Sequence, residues 1–192
     1  MFFDKFNLFT ILQLVCWLSL FGYWIIAANK QSKNNIQNTN ELVGFLKLAG
    51  LPIALFVPWF GWGWVGNRLF PASLITGILG TLLSVFGVFI AIWARRILGR
   101  NWSGNVVIQK GHQLIQEGPY SIVRHPIYTG VVFTLFGSAI VLTGLEGFIV
   151  AILCSVGLYF KAKKEEKLLI EQFPKEYPEY KKRVKTLIPF LL

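Results

Sequence analysis

The chain is 192 residues long, 54% hydrophobic and 16% aromatic, with a mean hydropathy of +0.55 and a formal net charge of +10. A soluble domain of this size does not carry so apolar a composition, so these figures exclude a water-soluble globular protein and put the chain in a bilayer. The positive charge points to anionic lipid rather than nucleic acid, because the basic residues stand within a few positions of apolar runs. Residues 6–29, 48–67 and 69–94 hold no charged residue, and residues 127–160 hold only Glu146. About 20 apolar residues cross a hydrocarbon layer of about 30 Å, so each of the first three runs predicts one membrane helix. The fourth run is too long for one crossing and is broken by Thr143-Gly144-Leu145-Glu146-Gly147, a turn signal with a charge at its centre. It reads as two short helices near the lower length limit, either crossing fully or folded as a re-entrant hairpin.

Five crossings put Lys30, Lys33 and Lys47, then Arg95, Arg96, Arg100, Lys110 and Arg124, then the basic residues of 161–185 on one side, and little beyond Lys5 and Arg68 on the other. The asymmetry predicts an outer amino terminus and a cytoplasmic carboxyl terminus. Residues 1–5 carry no net charge and the run behind them exceeds a signal core, so a retained anchor is expected. The polar stretch 29–40 reads as a short inner loop. Residues 95–126 are polar yet carry Trp102, Val106, Val107, Ile108, Leu114 and Ile115, divided by glycines at 99, 104, 111 and 118. That pattern predicts a pocket wall whose backbone approaches a ligand. From Lys161 the pattern of charges and apolar residues, continued by Tyr177, Tyr180 and Val184, predicts an amphipathic cytoplasmic segment lying back on the core. Cys16 and Cys154 fall in spans and read as small buried hydrophobes. With only His112 and His125 and no clustered cysteines, no metal site is expected.

The densest chemistry lies in Gly118-Pro119-Tyr120-Ser121-Ile122-Val123-Arg124-His125-Pro126-Ile127-Tyr128-Thr129-Gly130, at the mouth of an apolar run. Such a cluster is costly at a membrane edge unless it does chemistry. Its partner is Lys164-Glu165-Glu166, which follows the next apolar run and faces the same compartment if that run forms a hairpin. Arg124 suits the carboxylate end of a ligand, since a planar guanidinium binds carboxylate in bidentate fashion; lipid headgroup binding is the alternative. Glu165 suits a ligand's amino or hydroxyl groups, or else belongs to a solvated helix face. His125 precedes Pro126, which biases its backbone to extended geometry and leaves its ring as a ligand contact or a structural partner. Tyr120 and Tyr128 read equally well as interfacial belt residues.

Taken in order, Leu98-Gly99-Arg100-Asn101-Trp102-Ser103-Gly104, His112-Gln113-Leu114-Ile115, Gly118-Pro119-Tyr120 with Arg124-His125-Pro126-Ile127-Tyr128-Thr129-Gly130, and Glu165-Glu166 with Phe173, Glu176-Tyr177 and Tyr180 resemble the isoprenylcysteine carboxyl methyltransferase family. The resemblance covers about residues 95–192; the first three spans match only in being hydrophobic. It implies methyl transfer from S-adenosylmethionine to the free carboxylate of a prenylated cysteine. The implied fold is an all-α integral membrane protein of about five transmembrane helices. Its cytoplasmic cofactor pocket is formed by the last two helices, the preceding loop and a C-terminal amphipathic helix. Residues 1–94 then hold the membrane scaffold and residues 95–192 the catalytic region. Carried over residue by residue, the cofactor contacts fall on Asn105, His112, Gln113, Leu114, Ile115, Tyr120, His125, Pro126, Ile127, Tyr128 and Glu165. Arg124 and Tyr128 stand at the reacting methyl, and a lipophilic carboxylate from the membrane is the implied acceptor. Where the family has a substrate-facing arginine, this chain has Lys161, which keeps the charge but loses the fork. The Arg-His-Pro-x-Tyr-x-Gly element is shared with membrane sterol reductases, so a nicotinamide-dependent reductase of an unsaturated lipid stays open. A non-catalytic lipid-binding protein also stays open.

Overall fold

The computed structural model describes residues 8–32, 73–99, 114–142 and 145–188. The expected span at 48–67 lies outside the described residues. Five α-helices occur among them: α1 (Leu8–Ser32), α2 (Leu74–Leu98), α3 (Pro126–Leu142), α4 (Leu145–Gln172) and α5 (Glu176–Arg183), with a 3-10 turn at Gly118–Ser121 before α3. The protein is an integral membrane protein, and its described residues are all-helical in architecture. Residues Leu8–Ala27, helix α2 and helix α4 are long and apolar enough to cross a membrane, and α3 is a shorter apolar helix.

Local chemistry fixes the helix ends. Ser73 caps α2 in a capping box, its hydroxyl accepting from the Thr76 amide at 3.2 Å while the Thr76 hydroxyl accepts from the Ser73 amide at 3.0 Å. Gly99 ends α2 at φ 51°, a left-handed value that suits glycine. Pro126 opens α3, where its missing amide hydrogen has no helical partner to lose. The pair of short helices expected from 127–160 needs correction on the second member. Beyond Phe160 the chain is rich in helix formers and lacks glycine or proline until Pro174. Nothing there breaks the backbone ladder, so α4 runs through the polar segment as one helix of 28 residues. Its apolar stretch ends at Phe160, and its charged end stands outside that stretch.

Packing is tightest between α2 and α3. Gly80 and Gly87 on α2 face Gly137 and Gly130 on α3, and a Cβ built at Gly80 would come within 2.7 Å of the Gly137 carbonyl oxygen. Small residues thus let two backbones meet where lipid gives helices no hydrophobic reason to associate. Helix α1 docks on this pair through Gln13, which is 0% exposed. Its carbonyl oxygen accepts from Ser84 at 2.7 Å and Ser138 at 3.0 Å, and Trp17 Nε1 donates to the Ser138 hydroxyl at 3.0 Å. These polar groups satisfy one another across three helices, as the bilayer requires. Along α4 the buried residues Ala151, Leu158, Ala162 and Glu166 form one stripe, while Ile149, Ile152, Leu153, Val156 and Phe160 remain exposed. The stripe carries the core from the apolar interior to a carboxylate at its polar end.

Candidate active site

The site forms where the start of α3, the charged end of α4 and the chain after α5 meet. Tyr128 lies in the first turn of α3, and its hydroxyl donates to Glu165 Oε1 at 2.5 Å. The other carboxylate oxygen of Glu165 lies 3.6 Å from His125 Nδ1, and its side chain keeps 21% of its exposure. The His125 and Tyr128 rings are parallel within 3° at 5.6 Å between centroids. Lys161, one turn before Glu165 on α4, holds its ammonium 5.4 Å from the centre of the Tyr128 ring.

Adjacent residues on a helix point about 100° apart, so Glu165 and Glu166 take different partners. Glu166 Oε1 accepts from Arg124 Nη2 at 2.6 Å and Nε at 3.0 Å, with side-chain exposures of 4% for Arg124 and 2% for Glu166. The remaining guanidinium hydrogens reach the Thr186 hydroxyl at 2.7 Å, the Lys181 carbonyl at 3.3 Å and the Val184 carbonyl. The carboxylate that Arg124 holds is therefore the chain's own. Lys163 and Lys181 approach Glu166 Oε2 at 3.4 and 3.5 Å. Burial alone would raise the Glu166 pKa, but the nearby His125 imidazole and the charge and hydrogen bonds of Arg124 outweigh it and hold the carboxyl well below the usual range.

The segment after α5 completes the assembly. Its backbone runs parallel to residues 123–125 in a short bridge, with the Arg124 amide donating to the Lys185 carbonyl at 2.8 Å and the His125 amide to Thr186 at 3.0 Å. The Thr129 hydroxyl donates to the Leu187 carbonyl at 2.7 Å, and Tyr180 Oη donates to the Tyr120 carbonyl at 2.6 Å. Tyr177 and Tyr180 pack edge to face and form a second small core with Val184, against which Leu114 packs. Tyr120 and Ile127 belong to the main core, and partly buried Ile115 packs against it. Burial pushes the Tyr120 phenol far above its ordinary value, so it stays protonated.

The structure thus brings together Tyr120, Arg124, His125, Pro126, Ile127, Tyr128, Lys161 and Glu165 from the sequence expectation, with Leu114 and Ile115 at the edges. Asn105, His112 and Gln113 lie outside the described residues. Sequence reasoning gave Glu166 no role of its own and did not single out Lys163 or Thr186. For Thr186 no signal existed, since Arg124 and His125 stand about sixty positions away, Lys163 stands 23 away, and one contact is through backbone.

His125 Nε2 is buried and makes no hydrogen bond among the described residues, standing 3.6 Å from Glu166 Oε1. A half-open carboxylate, an unmatched imidazole nitrogen and aromatic faces make a donor and acceptor set that fits a small organic cation with amino or hydroxyl groups.

Comparison with known proteins gives this arrangement a relative. The sequence pattern of the phospholipid methyltransferase family matches residues 75–176. Protein-S-isoprenylcysteine O-methyltransferase of Saccharomyces cerevisiae is 33% identical over 130 residues, 65% of this chain and 54% of that protein. The Mus musculus protein of the same name is 34% identical over 117 residues, 58% of this chain and 41% of its own length. A probable protein-S-isoprenylcysteine O-methyltransferase of Oryza sativa subsp. indica is 25% identical over 179 residues, 88% of each chain. The match spans about half or less of the yeast and mouse proteins. With just over half of its length inside the family pattern, and with relatives of this kind, the chain belongs to the phospholipid methyltransferase family.

Proposed function

We propose that the protein is an integral membrane methyltransferase that uses S-adenosylmethionine to esterify the carboxylate of a lipophilic, prenylcysteine-like acceptor. The observation that carries this reading is the convergence of Glu165, Tyr128, His125 and Lys161 at the polar end of a helix whose apolar length faces lipid. When bound, S-adenosylmethionine supplies a methyl group on a sulfonium, already electrophilic toward an anionic carboxylate. The chain has to orient and dehydrate the partners rather than activate them.

Glu165 accepts hydrogen bonds from the ligand's amino or hydroxyl groups and favours its cationic end, and the Tyr128 hydroxyl fixes which oxygen remains open. The unmatched His125 Nε2 offers a second polar contact. Leu114, Ile115, Tyr120, Pro126 and Ile127 complete the wall in this reading, and the family resemblance adds Asn105, His112 and Gln113 as cofactor contacts. Lys161 makes no ion pair among the described residues, so its ammonium is available to an acceptor carboxylate. Arg124 acts at one remove, because its donors are taken by Glu166, Thr186 and two carbonyls. Residues 95–192 supply the chemistry and residues 1–94 the membrane scaffold.

A thermal-shift measurement on the detergent-purified protein tests the reading. S-adenosylhomocysteine is expected to raise the midpoint and NADPH to leave it unchanged; the reverse would make the protein a reductase. Glu165→Ala removes a charged hydrogen-bond partner and is expected to weaken S-adenosylhomocysteine binding roughly ten- to a hundredfold in calorimetry. Wild-type affinity in the folded variant would remove Glu165 from the site.

A further inference from the structure

Thr186 is buried, at 3% exposure, and joins groups that the chain's sequence keeps far apart. Its hydroxyl accepts from Arg124 Nη2 at 2.7 Å and from Lys163 Nζ at 3.2 Å. Its carbonyl accepts from the His125 amide at 3.0 Å. One residue therefore touches the start of α3 through Arg124 and His125, and the charged end of α4 through Lys163. Glu166 closes the same loop from the other direction, since it is bound to both Arg124 and Lys163. Helices α3 and α4 carry the two halves of the Tyr128–Glu165 contact, and this loop of charged hydrogen bonds ties them a turn away from it.

We propose that Thr186 is a positioning residue: its hydroxyl holds Arg124 and Lys163 so that the Tyr128 hydroxyl, the His125 ring and the Glu165 carboxylate keep the spacing a ligand needs. The inference rests on the methyltransferase reading of that site. Four acceptors compete for the hydrogens of Arg124, and the threonine hydroxyl is the neutral one that a side-chain substitution removes without disturbing the backbone bridge. Hydrogen bonds from charged donors to a buried hydroxyl are stronger than neutral ones, so the site feels the loss of this one. Thr186 itself makes no hydrogen bond to Tyr128 or Glu165 among the described residues, and its influence passes through α3 and α4.

Calorimetric affinity for S-adenosylhomocysteine tests the proposal in the full-length, detergent-purified protein. Thr186→Val keeps shape and removes the acceptor; it is expected to weaken binding about tenfold, with Thr186→Ser restoring it to within about threefold of wild type. In a Glu165→Gln background the same Thr186→Val change is expected to cost less than about threefold, because the group being positioned has already been altered. An equal loss in both backgrounds, or wild-type affinity in folded Thr186→Val, would overturn the proposal. If Thr186→Val does not fold, Thr186→Cys carries the same comparison against Thr186→Ser, since a thiol is a weak acceptor, and equal affinities for these two would also overturn it. Failure of the wild-type protein to bind S-adenosylhomocysteine at all would instead remove the methyltransferase reading on which the inference stands.

Discussion

A guanidinium and a carboxylate that are both almost fully buried survive only as a hydrogen-bonded pair, and Arg124 with Glu166 is such a pair. Removing one partner leaves the other charged in a poorly solvated place. Arg124→Ala is expected to destabilise the protein by about 3–5 kcal/mol, with Arg124→Lys recovering only part because the fork is missing. Chemical unfolding of the variants in detergent checks this, and a loss below about 1 kcal/mol would show that the pair contributes little. The depressed pKa of Glu166 gives the same pair a pH signature. A carboxyl held below its ordinary value of 4.5 contributes stability that is fully present above that value and is lost as pH falls below it. Glu166→Gln is expected to flatten the fall in unfolding midpoint below about pH 4.5, and an unchanged acid limb would assign the acid sensitivity elsewhere. The sequence made both glutamates visible but not their division of labour. A Glu-Glu pair beside an arginine motif predicts contact, yet only the phase of α4 decides that Glu165 meets Tyr128 while Glu166 meets Arg124.

Helix positions were legible where one local rule ruled. Charge-free runs marked α1 and α2, and the apolar run from residue 127 marked α3. The end of α4 was not, because a switch from apolar to charged residues resembles a boundary in sequence although the backbone has no reason to stop. Packing between helices was harder still, since glycines spaced by seven in two separate runs do not announce that they face one another. The structure makes that pairing testable. A Cβ at Gly87 would press on the Gly130 carbonyl and the Thr134 side chain and amide, whereas one at Gly157 meets nothing within 4 Å. Gly87→Val is expected to lower stability by about 1–3 kcal/mol or more, since the obstacle is backbone. Gly157→Ala is expected to be neutral or to stabilise by about 0.5–1 kcal/mol through helix propensity. Comparable effects at both positions, measured by thermal unfolding, would mean that α2 and α3 are not in close backbone contact.

At the scale of the whole molecule, α4 is long and apolar enough to connect the two faces of a membrane. Glu146 opens it and Glu165 lies nineteen residues further on, about 28 Å along the axis, close to the thickness of a hydrocarbon core. Helix α3, with 17 residues, is about 26 Å long, which is enough to cross with little to spare. Single cysteines at Glu146 and Lys182 are expected to react with a membrane-impermeant reagent from opposite sides, the second only from the cytoplasm, in line with the basic residues around α5. Labelling of both from one side would turn the hairpin into a re-entrant one. Given a full crossing, the proposed site lies where the apolar face of α4, ending at exposed Phe160, gives way to Lys161. An acceptor with a carboxylate head and a hydrocarbon tail can then lie with its tail along lipid-facing α4 and its head beneath the Lys161 ammonium. Each buried methylene is worth about 0.8 kcal/mol, so for the proposed acceptor a long prenyl chain would contribute most of the affinity and the charge would set the orientation. A prenylcysteine analogue is therefore expected to yield a base-labile methyl ester, while the same molecule without its tail reacts poorly through a raised KM. Lys161→Met is expected to depress turnover of the tailed substrate while leaving S-adenosylhomocysteine affinity within about threefold, because positioning acts on the reaction coordinate rather than on the other ligand. Equal reaction of tailed and tail-free analogues, or parallel loss of turnover and S-adenosylhomocysteine binding in Lys161→Met, would show that the acceptor does not approach along α4.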